Sequence, residues 1–306
     1  ALGRSKLSAE DDWGLAILTP TQRTIYRSAV RILDGDKVRS FLQAWTSLRD
    51  LADAAPSCGA VFYRCAEARL RLSRRDAALR DVEQAIAGTP RFYEALALKG
   101  RLLLELGRIE EAETAVKKSL EIRPDHAEAW AVRGRAQFLE GDFEQALECL
   151  ELAVALNPWQ DEARALKRNL EYVIAGPPWE RRFVHETAHY RIETDISKGK
   201  AKLYGEHLEA IRAFYCEQFG IDPKAKGAKR ARVLIFDTRE GFHSYAKLTT
   251  DDRVESFLGY YHPRFQQLLL YEGRQDATGE ETLRVLYHEG FHQFSHGLIP
   301  SMPFWL

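Results

Sequence analysis

Along the first half of the chain, apolar and small positions recur with a long period. Pro56, Pro90, Pro124 and Pro158 are spaced by 34 residues, and so are Ala44, Ala78, Ala112 and Ala146. Inside each period the apolar positions fall at helical spacing. One unit opens at Trp130, passes Gly134, turns at Gly141-Asp142 and closes through Ala146, Leu150, Ala153 and Pro158. Small residues at Gly100, Gly134, Ala112 and Ala146 let two helices cross closely, and a closing proline cannot continue a helix. The pattern predicts stacked helical hairpins.

A 34-residue helical-hairpin period is that of the tetratricopeptide repeat, and residues 58–158 resemble that family. Lys99 and Arg133 stand where the family usually has leucine, and Gln137 where tyrosine is common. Upstream, residues 1–57 keep the phase of a second helix through Ala44, Leu48, Leu51 and Pro56, but Asp34-Gly35-Asp36 breaks the first. They read as a degenerate capping unit. Trp159 to Ile174 is expected to be the amphipathic helix that covers the last repeat, completing a segment over 58–175. The resemblance implies a solenoid whose groove holds a protein or peptide partner.

The period changes after Gly176-Pro177-Pro178, so 176–181 is expected to be a linker and 182–306 a second domain. Phe183 to Thr194 alternates like one strand, Ser197 to Phe219 like an amphipathic helix, and Ala231 to Phe236 like a buried strand. A short helix near Arg239 to Lys247 follows. Phe257 to Tyr261 and Gln266 to Tyr271 then flank His262-Pro263-Arg264 as a hairpin, and a helix runs from Glu280 to His296. This order predicts an α+β fold after the all-α solenoid.

Composition narrows the function classes. Of the 306 residues 45% are hydrophobic, enough for real cores, and 44 Lys and Arg balance 45 Asp and Glu to a formal charge of −1. That balance argues against a nucleic-acid partner. The stretch 224–230 is basic but lacks interleaved aromatics, and reads as a solvated loop. No apolar run is long enough for a membrane span. Cys58, Cys65, Cys149 and Cys216 form neither a disulfide framework nor a zinc ribbon, and they name no compartment. Trp159 and Trp305 flank turns and are expected to anchor chain segments.

Candidate chemistry lies on the last predicted helix, in His288-Glu289-Gly290-Phe291-His292. Helical residues four apart lie about 6 Å apart on one face, so His288 and His292 can reach one zinc ion while Glu289 reaches a bound water. Leu283, Leu286, Tyr287, Gly290 and Phe294 share the opposite face, where Gly290 is expected to permit close packing. A second match, His185-Glu186-Thr187-Ala188-His189, lies in a strand pattern. There the two histidines would stand about 13 Å apart, too far for one zinc. Catalytic zinc needs a third protein ligand. His296 lies about 12 Å along the axis from His288 and cannot join both on a straight helix. His262, His243 or a residue outside the sequence remain open.

Residues 183–306 resemble a bacterial peptidase-MA-like domain of the gluzincin clan. The matching segments are His189-Tyr190-Arg191-Ile192, Val233 to Phe236, Gly259-Tyr260-Tyr261-His262-Pro263, the motif helix, and Pro303-Phe304-Trp305-Leu306. The resemblance implies a zincin-like metallopeptidase, with His288 and His292 as zinc ligands and Glu289 as the catalytic base. It also implies a third ligand, a glutamate beyond Leu306. For substrate contact the candidates are Leu269 and Tyr271, on a strand that could pair an extended peptide by its edge, and Tyr260 and Tyr261 in the hairpin. Two functions therefore stand: a zinc peptidase whose repeats recruit a protein substrate or regulator, and a non-catalytic repeat scaffold with a degenerate peptidase-like domain.

Overall fold

A computed structural model describes residues 14–35, 38–222, 230–249, 258–272 and 280–298. The chain divides into two compact units, 1–168 and 169–306.

The first unit is a series of antiparallel helix pairs: α1 (Pro20–Leu33) with α2 (Val38–Ala54), α3 (Gly59–Arg71) with α4 (Arg75–Gly88), α5 (Tyr93–Glu105) with α6 (Ile109–Ile122), and α7 (Ala127–Leu139) with α8 (Phe143–Leu156). Then comes α9 (Asp161–Ala175). The helices α3, α5, α7 and α9 start 34 residues apart, as do α4, α6 and α8. The pair α1/α2 is out of that phase. Thr19 opens α1 with a capping box, accepting from the Gln22 amide at 3.3 Å while Gln22 Oε1 accepts from the Thr19 amide at 2.8 Å. The helix ends at Leu33, just before Asp34.

Close crossing of each pair rests on the predicted small residues. A Cβ at Gly100 would stand 2.5 Å from Val116 Cγ2, and one at Gly134 would stand 2.8 Å from Leu150 Cγ. Ala78, Ala112, Ala146, Val82, Val116 and Leu150 are buried with them. The departures from the repeat pattern carry polar contacts instead. Lys99 Nζ lies 2.9 Å from Glu83 Oε1, the Arg133 guanidinium lies over the Trp130 ring, and Gln137 donates to Glu113. Trp159 departs from its expected anchoring role. It is 80% exposed, because the turn it flanks is closed by backbone and by Asn157, whose side chain accepts from the Trp159 amide.

The second unit takes up the end of α9, so the division falls ahead of Pro177-Pro178. Arg232 donates to the Val173 carbonyl, and Arg182 donates to those of Ala175 and Pro177. Its elements are β1 (Phe183–Glu186), β2 (Tyr190–Thr194), α10 (Lys198–Phe219), β3 (Ala231–Phe236), α11 (Arg239–Thr249), β4 (Gly259–His262), β5 (Gln267–Tyr271) and α12 (Glu280–Leu298). The single strand expected over 183–194 is in fact the hairpin β1/β2. Thr187 folds the chain there: its amide and hydroxyl donate to the Tyr190 carbonyl, and its hydroxyl accepts from the Tyr190 amide.

The sheet order is β1-β2-β3-β5-β4, with β2, β3 and β5 parallel to their neighbours and the two outer pairs antiparallel. Alternation along the strands sorts the core into two layers. Ile192, Val233, Ile235, Leu268, Leu270 and Tyr261 pack with Tyr204 and Leu208 of α10 and Leu286 of α12. Leu234, Phe236 and Leu269 pack with Phe242 and Tyr245 of α11 on the other face. The motif helix therefore lies on the α10 side of the sheet.

Candidate metal centre

Helix α12 buries the face expected of it. Leu286 and Phe294 are in the core and Gly290 faces Leu208, while His288 is exposed and Glu289 and His292 are half-buried. A Cβ at Gly290 would meet Leu208 Cδ2 at 3.4 Å, an ordinary contact. The approach of α10 to α12 therefore does not require glycine, contrary to the sequence expectation.

The two imidazoles meet. His288 Nε2 and His292 Nε2 are 3.2 Å apart, with ring planes nearly perpendicular. Two nitrogens bound at 2.0–2.1 Å to one tetrahedral zinc are separated by about 3.3 Å. The pair thus fits the edge of such a site, and two ring nitrogens are the right donors for zinc. Glu289 is held by the sheet: its Oε2 accepts from the Tyr261 amide at 2.8 Å.

Among the described residues no group of three or more His, Cys, Asp or Glu is arranged to hold a metal. His262 is buried against the α11 side, where its Nε2 lies 3.1 Å from the Thr249 carbonyl and its Nδ1 accepts from the Phe265 amide. His243 sits on α11 beside Phe242 and Tyr271. Neither can join a site on α12, because the sheet stands between. The glutamate expected beyond Leu306, and Pro303 to Trp305, lie outside the described residues, as does most of the basic stretch 224–230.

The four substrate candidates are placed otherwise than expected. Strand β5 is interior, paired to β3 on one side and β4 on the other, so Leu269 and Tyr271 offer no free edge. Leu269 is fully buried, and Tyr271 and Tyr260 pack with it on the α11 face, away from the histidines. The Tyr261 ring is in the α10 layer, only 6% exposed. The free edge next to α12 belongs to β4.

The second His-Glu-x-x-His segment spans the β1/β2 turn, so the extended-strand distance does not describe it. His189 is instead engaged by α10: its amide donates to Glu209 Oε1 at 2.8 Å, and its Nδ1 lies 2.7 Å from Glu209 Oε2. Burial raises the Glu209 carboxyl, but hydrogen bonds from Thr187 and His189 outweigh it and hold the group below its ordinary range. Sequence reasoning missed two partners of the motif helix. These are the Tyr261 amide on Glu289, and the Tyr261 hydroxyl 3.2 Å from His296 Nδ1. No local signal marks contacts 28 and 35 residues apart; they follow only from the sheet order.

Residues 69–136 and 127–158 each match a tetratricopeptide repeat family. These helical hairpins are tetratricopeptide repeats. Solved structures similar to the chain include MamA residues 41-end from Desulfovibrio magneticus RS-1, 20% identical, with a TM-score of 0.42 over 53% of this chain and 84% of that one. A second is PilF of Pseudomonas aeruginosa, 20% identical, with a TM-score of 0.45 over 50% and 69%. A third is the first tetratricopeptide-repeat domain of Spaghetti (RPAP3) bound to an HSP90 peptide, 18% identical, with a TM-score of 0.37 over 39% and 96%. No curated protein matches the chain. Among the described residues, no helix is long and apolar enough to cross a membrane.

Proposed function

We propose that this chain is a protein-interaction protein whose tetratricopeptide repeats hold a protein or peptide partner. The observation that carries this reading is the match of 69–158 to the repeat family. Stacked hairpins expose a continuous inner surface, and here the first helices of the pairs, α1 on α3 and α5 on α7, pack on one another to form one layer. Half-buried Arg101 and Glu128, joined at 3.1 Å across α5 and α7, lie on that layer. The test is a photo-cross-linker placed at Arg101 on α5 or at exposed Arg80 on α4. Cross-links to a bound protein are expected from position 101 and not from position 80; the reverse would place the partner elsewhere.

A second reading, favoured by the 3.2 Å approach of the two imidazole nitrogens, makes the second unit a zinc-dependent peptidase that acts on what the repeats recruit. His288 and His292 would hold the ion, with a third ligand from outside the described residues. Bound zinc supplies a Lewis acid that lowers the pKa of water and stabilises an oxyanion. Glu289 is the base: its carboxylate takes the proton of the attacking water and passes it to the leaving amine. The Tyr261 amide orients that carboxylate through one oxygen. Elemental analysis of the full chain should find about one zinc per molecule, lost in His292→Ala. Protein that binds none when offered the metal leaves the repeat-scaffold reading alone.

A further inference from the structure

We propose that His296 is a positioning residue for Glu289, acting through Tyr261; the proposal rests on the peptidase reading. Tyr261 lies on β4, the edge strand beside α12. The Tyr271 amide donates to the Leu258 carbonyl, so that pair is hydrogen-bonded. Antiparallel pairs alternate, and with Tyr261 opposite Leu268 the register makes 260/269 and 262/267 the next hydrogen-bonded pairs. The Tyr261 amide must therefore point out of the sheet, and it points at Glu289, donating to Oε2 at 2.8 Å. Its side chain turns into the core and reaches along the same helix, where the hydroxyl lies 3.2 Å from His296 Nδ1, with the rings 5.7 Å apart.

Glu289 and His296 are seven residues apart on α12, close to two full turns, so they share one side of the helix. One tyrosine thus bridges both, by its backbone at one end and its hydroxyl at the other. Burial pushes the Tyr261 hydroxyl up and the His296 imidazole down. A protonated phenol therefore faces a neutral ring, and the phenol donates to Nδ1. Without that acceptor the buried hydroxyl is left unsatisfied at a cost of about 1–3 kcal/mol. The ring then has reason to shift, carrying with it the amide that fixes Glu289. His296 stands about 10 Å along the axis from Glu289, so its effect on the reaction passes through Tyr261.

The test uses the zinc-loaded full chain and three variants: His296→Leu, Tyr261→Phe and His296→Gln. Tyr261→Phe keeps the ring and the amide, and His296→Gln keeps an acceptor for the hydroxyl. Amide hydrogen exchange at Tyr261, zinc content, and kcat and KM on casein are the readouts. His296→Leu and Tyr261→Phe should each speed exchange at Tyr261 and lower kcat, both by about tenfold, with zinc content and KM nearly unchanged. His296→Gln should recover most of both. Exchange at Tyr261 that stays at the wild-type rate in His296→Leu and Tyr261→Phe overturns the proposal, as does a Gln variant as impaired as the Leu variant. Absence of hydrolysis in the wild-type chain removes the peptidase reading, and the exchange comparison still decides whether His296 holds the amide on Glu289.

Discussion

At the residue scale, the turns inside the repeats depend on one left-handed position. Ser73, Gly107 and Gly141 stand 34 residues apart with φ of 58°, 74° and 75°. Each closes the first helix of its pair with the same two bonds, for instance Arg108 amide to Leu103 carbonyl and Gly107 amide to Leu104 carbonyl, a Schellman arrangement. Glycine takes this backbone freely, whereas a side chain costs about 1–2 kcal/mol there, partly offset by the lower entropy of the unfolded chain. Ser73→Gly should therefore stabilise the protein by about 0.5–1 kcal/mol, read as a higher urea midpoint with unchanged slope. The glycine at Gly141 marks its turn in the sequence. Serine at 73 carries no such mark, and only the phase of the repeat and the backbone reveal it.

At the element scale, Glu193 ties the sheet to the chain that enters it. It is 1% exposed on β2 and accepts from Arg232 of β3 at 2.8 and 3.1 Å and from Arg191 at 3.0 Å, with Arg182 at 3.5 Å. Arg232 and Arg182 also hold the carbonyls at the end of α9. Burial raises the Glu193 carboxyl, yet the hydrogen bonds and charge of Arg232 and then Arg191 outweigh it and leave the pKa lowered. A lowered folded pKa means stability that is present above the unfolded value, about 4.3, and lost as pH falls through the folded one. Glu193→Gln should cost about 2 kcal/mol at pH 7, and the difference from wild type should shrink below about pH 4. Chemical denaturation at the two pH values checks it; an equal loss at both would mean the carboxylate charge is not what matters. The strand patterns of β3 and β5 are plain in the sequence, but the clamp on Glu193 is not, since its partners lie 11 residues before and 39 after.

At the scale of the whole molecule, a family of protein-binding repeats and a helix bearing His288, Glu289 and His292 occur on one chain of nearly zero net charge. Neutrality leaves recognition to shape and local contacts rather than to long-range steering. The peptidase reading makes a sharp demand on Glu289, because the metal would be held by the histidines alone on this helix. Glu289→Gln in the full chain should keep its zinc and lose hydrolysis by at least about 100-fold, the usual size of a lost general base. Activity that survives the substitution would take Glu289 out of the mechanism.

The sequence by itself determined what is periodic or local. The 34-residue phase sets the helix pairs, small residues at 100 and 134 set their crossing, and the apolar stripe through Leu286 and Phe294 sets which side of α12 is buried. The spacing of His288 and His292 likewise puts two donors one turn apart, because helix geometry repeats within a few residues. Tertiary structure alone decided the rest. That β5 is interior and β4 the edge, that Tyr260, Leu269 and Tyr271 face α11, and that Tyr261 reaches Glu289 and His296 all follow from sheet order. Alternation assigns a strand's residues to two faces but cannot say which face meets which helix, or which strand lies outermost, until every strand has found its neighbour.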